Sequence, residues 1–257
     1  MKTWHQVNNE AYVLLSANQY NELGQLITKK LHSEDAGKKF KQHIDYRYNI
    51  RGWLTGVNDP TADGKRLFSM QLNYNNPTAN GGAAQYNGNI SEIIWKSAAP
   101  GIQSYGYTYD RMNRLTKAQY YDLHNPLNNN RFNEQLGTAT QPGYDLNGNI
   151  LSLIRTGRLG EGLYGTMDQL TYTYKGNQLT RVDDAVKMHE EENGFKERTQ
   201  QAGEYNYDLN GSMTEDKNKD IAAITYNHLN LPGTVTKTNG DQVNYTYDAT
   251  GKNYTRP

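Results

Sequence analysis

The sequence predicts an all-β protein: a long, curved antiparallel sheet assembled from β-hairpins. Three observations carry that prediction. First, the 257 residues include 21 Tyr, 30 Asn and 24 Gly. Tyr favours strands, whereas Asn and Gly favour turns. Leu, Ile, Val and Phe together number only 44, too few for a helical bundle. Second, a short unit recurs along the chain: a Tyr, a small polar turn, then an aliphatic residue. Third, tyrosines alternate with polar residues ahead of several of these turns, the period-two signature of a strand.

Nine copies of the unit follow one another. They are YNELGQL from Tyr20, YNIRGWL from Tyr48, YNGNI from Tyr86, YDRMNRL from Tyr109 and YDLNGNI from Tyr144. After them come YKGNQL from Tyr174, YDLNGSM from Tyr207, YNHLNLP from Tyr226 and YDATGKN from Tyr247. In the seven longer copies the residue after the Tyr is Asn or Asp, which accepts hydrogen bonds from turn amides. Four residues after the Tyr stands Gly24, Gly52, Asn113, Gly148, Gly211, Asn230 or Gly251. Gly and Asn tolerate positive φ best, so this position is expected to be left-handed. A type I turn followed by a left-handed residue closes a hairpin with a bulge. The shorter copies place Gly88 and Gly176 two residues after the Tyr and imply a tighter turn. Each unit therefore reads as one hairpin.

Before the turns, Tyr105, Tyr107 and Tyr109 form one row, as do the pairs Tyr172 and Tyr174, Tyr205 and Tyr207, and Tyr245 and Tyr247. Each row falls on a single strand face, where cross-strand aromatic pairs add a few tenths to about 1 kcal/mol. One hairpin alone is marginal, but an array buries a continuous layer. Insertions interrupt the series at 55–85, 121–143 and 183–203. The second, containing NPLNNNRFNEQ, reads as a loop; the third reads as a short exposed helix ending before Gly194. Composition shifts nowhere along the chain, so residues 1–257 read as a single domain.

Charge and cysteine content exclude several classes. The 27 basic residues balance 27 acidic ones, which argues against nucleic acid or anionic lipid as the main partner. Without Cys there are no disulfides, no Cys-ligated zinc and no thiol catalysis. No run approaches the ~18 apolar residues of a membrane span, and MKTWHQVNNEAYVLL has no signal-peptide core. Membrane insertion is not expected. The abrupt end at Pro257 suggests a piece of a longer protein.

The ordered phrases YNIRGWLTGVND, LFSMQLNY, YNGNISEIIW, YTYDRMNRLTKAQY, YNYDLNGSMTEDKNKDI and ITYNHLNLPGTV resemble the Rhs, or YD-repeat, family. More narrowly they resemble the Rhs-repeat wall-associated proteins of Bacteroidetes. The resemblance implies a β-sheet wound into a hollow shell around a C-terminal segment, often a toxin. It also implies a secreted or cell-surface location. The family's C-terminal core, with its Asp-containing self-cleavage motif and variable tip, does not appear here, so no catalytic residue is carried over. With nine units the sheet is expected to form an open arc or part of a shell.

Other motifs read blandly. GEGLYG (160–165) matches G-x-G-x-x-G, but QLTYTY follows where a dinucleotide site needs a helix, so it reads as a loop. DPTADG (59–64) has calcium-like spacing, yet Met70 stands where a Glu is required, and a turn is expected. The calcium-like spacing of DLNGN (145–149) is explained by the repeat. The six histidines are scattered, and HEEEN at His189 is not H-E-x-x-H. Asp183, Asp184 and Glu190–Glu192 supply carboxylates near an insertion, and a glycosidase pair would need a defined separation. Four N-x-S/T matches, at Asn89, Asn210, Asn244 and Asn253, lie mostly in or beside repeat turns.

The expected function is structural: a shell segment that encapsulates or presents a polypeptide, with no catalytic, cofactor or metal site. Its partners are the missing C-terminal part of the same polypeptide or a protein cargo. The alternative is a carbohydrate-binding or adhesive module in which the tyrosines at 105, 107, 109, 172, 174, 205, 207, 245 and 247 stack on glycans or line the shell; a glycosidase ranks last. The open sheet edges invite dimerisation or coverage by the N-terminal segment Trp4–Leu15.

Overall fold

A computed structural model describes residues 1–62, 66–78, 80, 82–97, 101–186, 193–200 and 202–253. Among them the chain is all-β apart from two 3-10 turns, Pro126–Asn128 and Lys217–Lys219. The fold class is as the sequence predicts. The chain packs as two compact units, 1–130 and 131–257.

In the first unit nine strands are hydrogen-bonded antiparallel in sequence order. They are β1 (Lys2–His5), β2 (Val13–Tyr20), β3 (Leu26–Ser33), β4 (Gln42–Tyr48), β5 (Leu54–Val57), β6 (Phe68–Asn73), β7 (Glu92–Ser97), β8 (Gln103–Tyr109) and β9 (Leu115–Asp122). The second unit continues with β10 (Glu134–Leu136), β11 (Ser152–Gly160), β12 (Leu163–Lys175) and β13 (Gln178–Asp184), again in order. A separate five-stranded sheet follows: β14 (Tyr205–Tyr207), β15 (Met213–Asp216), β16 (Ile221–Tyr226), β17 (Pro232–Lys237) and β18 (Gln242–Asn244). Every pairing is to the neighbour in sequence, as an array of hairpins requires.

The turns form as the repeat dictates. Gly24, Gly52, Asn113, Gly148, Gly211, Asn230 and Gly251 all have positive φ, between 56° and 91°. Gly88 and Gly176 do as well. The strands slip register at the unit tyrosine, between Gln19 and Tyr20, Arg47 and Tyr48, Thr108 and Tyr109, Thr173 and Tyr174, Asn206 and Tyr207, and Thr225 and Tyr226. That slip is the expected bulge.

Three expectations need correction. Tyr86 does not end a strand: β6 and β7 form this hairpin, and Tyr74 takes the anchor position after β6 while Tyr86 stays exposed. The polar run after Tyr74 had hidden this, because Asn75-Asn76-Pro77 carries no left-handed residue at the expected spacing. Part of 121–143 is ordered as β10, whose ladder is supplied by β11 rather than by any apolar pattern of its own. GEGLYG is the tip of the β11–β12 hairpin, with Gly160 paired to Leu163 and Glu161-Gly162 turning between them. Gly162 has φ +71°, which makes the loop only two residues long.

The helix expected before Gly194 falls on 187–192, outside the described residues, and 193–200 is not helical. In the N-terminal segment, β1 covers the edge of β2 by pairing Trp4 with Leu14, and β1 itself is exposed throughout. No helix among the described residues is long and apolar enough to cross a membrane.

The core is thin, as the small aliphatic content implies. In the second unit Leu170, Val182 and Tyr205 are buried together, with Leu153, Tyr172, Leu179, Phe195, Tyr207 and Met213 packed on them.

Candidate functional site

The repeated chemistry lies in the turns. In all seven long units the Asn or Asp after the Tyr accepts two backbone amides through one side-chain oxygen. Asn49 Oδ1 takes the N–H groups of Arg51 at 2.9 Å and Trp53 at 3.0 Å. Asp110 does the same for Met112 and Arg114, and Asp208 for Asn210 and Ser212. Asn21, Asp145, Asn227 and Asp248 repeat the pattern. A side chain thus satisfies amides that the tight turn turns away from the ladder. This accounts for the calcium-like spacing at 145–149: both oxygens of Asp145 are occupied, Oδ2 by the amide of Asn149 at 2.7 Å. Likewise Asp59 accepts from Thr61 N and Oγ1 and forms a turn, while Asp63 and Gly64 lie outside the described residues.

A second element links one hairpin to the next. Tyr48 donates its hydroxyl to the carbonyl of Leu26 at 3.0 Å, and Tyr74 donates to Leu54 at 2.8 Å. Tyr109 reaches Ile90, Tyr207 reaches Leu179, Tyr226 reaches Met213 and Tyr247 reaches Pro232. Each acceptor is the aliphatic residue just after the preceding turn. Leu26, Leu54, Leu179, Met213 and Pro232 are also the residues that pair with the preceding unit's own tyrosine, at 20, 48, 174, 207 and 226. The sequence shows the tyrosines but not this lock, which needs the sheet to bring neighbouring hairpins together.

The tyrosine rows are placed as follows. Tyr105 stacks on Trp95 at 5.6 Å between ring centroids and on Tyr107 at 6.1 Å, and meets Tyr120 edge-on at 5.5 Å. Tyr109 is held by Ile90. Tyr172 and Tyr205 belong to the second unit's core, and burial pushes both phenols up to about 12. Tyr174 is half-buried, and burial raises its pKa too. Tyr207 and Tyr247 are spent on locks, and Tyr245 stacks on Tyr247 at 6.4 Å.

Three fully buried carboxylates tie loops to the sheets. Glu92 accepts from Asn73 Nδ2 at 2.6 Å and from Thr78 N and Oγ1 at 2.9 and 2.6 Å. Asp168 pairs with Arg155, whose Nε lies 2.7 Å away, and accepts the amide of Phe195. Glu204 accepts from Val182 N at 3.0 Å and Asn218 Nδ2 at 2.8 Å. Sequence reasoning missed all three, because each is an isolated acid whose partners lie far away in the sequence. Asp183 and Asp184 diverge: Asp183 pairs with Arg181, whereas buried Asp184 accepts from Gln169 N and Val186 N. Glu190–Glu192 and His189 lie outside the described residues. Among the described residues no group of three His, Asp or Glu is placed to hold a metal ion.

One surface cleft, of about 370 Å³, joins aromatic and amide groups of the first unit. Trp53, Asn75, Gln85 and exposed Tyr86 line it. The Arg51 guanidinium lies 5.1 Å from the Trp53 ring centroid, and its Nη1 donates to the Tyr86 carbonyl at 2.7 Å.

No protein-family model and no curated protein matches the sequence. Among solved structures, the chain is similar to a Photorhabdus luminescens Tc holotoxin pore with a mutated TccC3. That match covers 97% of this chain and 16% of the other, at 11% identity and a TM-score of 0.29. A TcdB2–TccC3 crystal structure matches over 97% of this chain and 17% of that one, at 10% identity and a TM-score of 0.27. The form without the hypervariable C-terminal region matches over 98% and 16%, at 11% identity and a TM-score of 0.25. The chain thus spans about a sixth of the length of these proteins. Functional inference rests on the geometry of this chain itself.

Proposed function

We propose that this chain is a structural segment of a YD-repeat shell, built to enclose or present a polypeptide and without a catalytic step. The supporting observation is the tyrosine lock. Each lock joins a hairpin only to the one before it, so the array extends by adding units and makes area rather than a central core. The Rhs resemblance adds a secreted or cell-surface location and a cargo: the C-terminal part of the same polypeptide or another protein. Small-angle scattering with in-line molar mass tests the reading. An arc or hollow profile supports it, and a dense globule of the same mass overturns it.

A carbohydrate-binding role is a second reading, favoured by the cleft at Trp53. Tyr86 offers an exposed ring, and Asn75 and Gln85 offer amides, which suits a sugar. A glycan array comparing the chain with its Tyr86→Ala variant tests it. Binding lost in the variant supports this reading, and a blank array on folded protein sinks it.

A further inference from the structure

A cavity of about 830 Å³ opens in the second unit. Its apolar surface comes from Tyr172, Val182, Phe195, Tyr205, Met213 and Val235. These residues belong to β12, β13, β14, β15, β17 and the segment 193–200. The segment is fastened to the sheets by Phe195 N on Asp168 and by Arg198 N on Asn218 Oδ1, 2.9 Å away. The cavity is therefore framed by several elements rather than by one loose loop.

Four cations share the lining: Lys196, Arg198, Lys219 and Lys237. Arg198 is paired with Asp220, and Lys219 lies 3.6 Å from Asp216. Lys196 and Lys237 have no carboxylate partner among the described residues. Tyr172 also lines the cavity, and its hydroxyl has no hydrogen-bond partner among the described residues either. Because burial keeps this phenol neutral well above pH 7, it is a donor under ordinary conditions. The cavity thus combines an apolar body with two exposed lysines that no carboxylate among the described residues pairs, while the lining carboxylate Asp216 faces Lys219. Apolar pockets with a few polar groups orient their ligands in this way.

We propose that this cavity binds an amphipathic carboxylate, its hydrocarbon chain against Val182, Met213 and Val235 and its head group held by Lys196 and Lys237. A neutral amphiphile would gain nothing from the two exposed ammonium groups, and a cationic one would face repulsion.

Calorimetric titration of the full chain with decanoate, decanol and decyltrimethylammonium, each below its micellar range, tests the proposal. Decanoate is expected to saturate one site, with decanol at least about tenfold weaker and the cation not binding. Lys196→Ala with Lys237→Ala should weaken decanoate about tenfold, close to 1.4 kcal/mol. Both lysines sit at the surface, so this variant tests charge without disturbing the core. The Met213 methyl resonance should shift with decanoate. Absence of saturable binding, equal affinity for decanol, an unchanged double variant or a silent Met213 methyl would each overturn the proposal.

Discussion

The hydroxyl of Tyr109 lies 2.7 Å from the backbone carbonyl oxygen of Ile90. Tyr109 ends β8, and Ile90 stands two residues beyond the left-handed Gly88 of the preceding hairpin. One side-chain proton therefore couples the end of one strand to the exit of an earlier turn. Ile90 stands before β7, outside the β6–β7 ladder, so the phenol supplies a partner for its carbonyl. Phe would supply the same ring area and no lock, which gives a physical reason for so many tyrosines in a chain poor in Leu.

Tyr109→Phe is therefore expected to cost about 1 kcal/mol, the net value of one such hydrogen bond. Urea unfolding monitored by circular dichroism measures it. The midpoint should fall while the denaturant dependence stays the same. An unchanged midpoint would mean that the hydroxyl is decorative.

The turn residue offers a sharper comparison. Asn49→Ala removes the acceptor of two amides and should cost about 1–2 kcal/mol. Asn49→Asp keeps the acceptor and should be nearly neutral, since Asp holds the same place at 110, 145, 208 and 248. Thermal unfolding of both variants separates acceptance from charge.

Gly148 has φ +91° and open space where a Cβ would stand. Gly148→Ala then pays only for the left-handed backbone, about 1–2 kcal/mol. Asn113→Gly, at φ +63°, should be neutral or slightly stabilising. Equal losses in the two variants would point to side-chain contacts instead.

Acid should loosen the turns at Asp110 and Asp145. Asp110 is held below the usual carboxylate range chiefly by the Arg114 amide, and Asp145 chiefly by the side-chain amide of Asn149. A depressed folded-state pKa gives stability that is present above the unfolded value near 3.9 and is lost as pH falls through the folded value. The urea midpoint should drop below about pH 4. The double variant Asp110→Asn with Asp145→Asn should show a shallower acid limb.

The hairpins, their left-handed residues and their bulges were legible because each depends on residues within a seven-residue window. Gly24, Asn113 and Gly211 declare their backbone by type alone. The locks were not legible, because the distance from Tyr48 to Leu26 is set by the strands between them. Tyr74 shows the limit: its turn residue, Gly88, lies fourteen positions away across a polar loop, so its role emerges only from the pairing of β6 with β7. The buried acids Glu92, Asp168 and Glu204 carry no local pattern, since their partners at Thr78, Phe195 and Asn218 come from distant loops. The cavity was hidden for the same reason: its cations come from the segment 193–200, a 3-10 turn and β17.

The second unit's core should also report on alkaline pH. Burial pushes Tyr172 and Tyr205 up to about 12, against about 10 for an exposed phenol. For Tyr the ionised form is the one that burial disfavours, so the folded state binds the proton more tightly than the unfolded state. The associated stability is complete below about pH 10 and is lost as pH rises from there towards 12. Tyrosinate absorbance should therefore show a late step, above the range of an exposed phenol, that coincides with unfolding of the second unit. Tyr172→Phe removes one of the two buried protons, so the late step in tyrosinate absorbance should lose amplitude and unfolding should move to higher pH. If the titration is a single step near 10 with the fold intact, the two rings are not buried in solution, and the core on which the cavity rests is not formed.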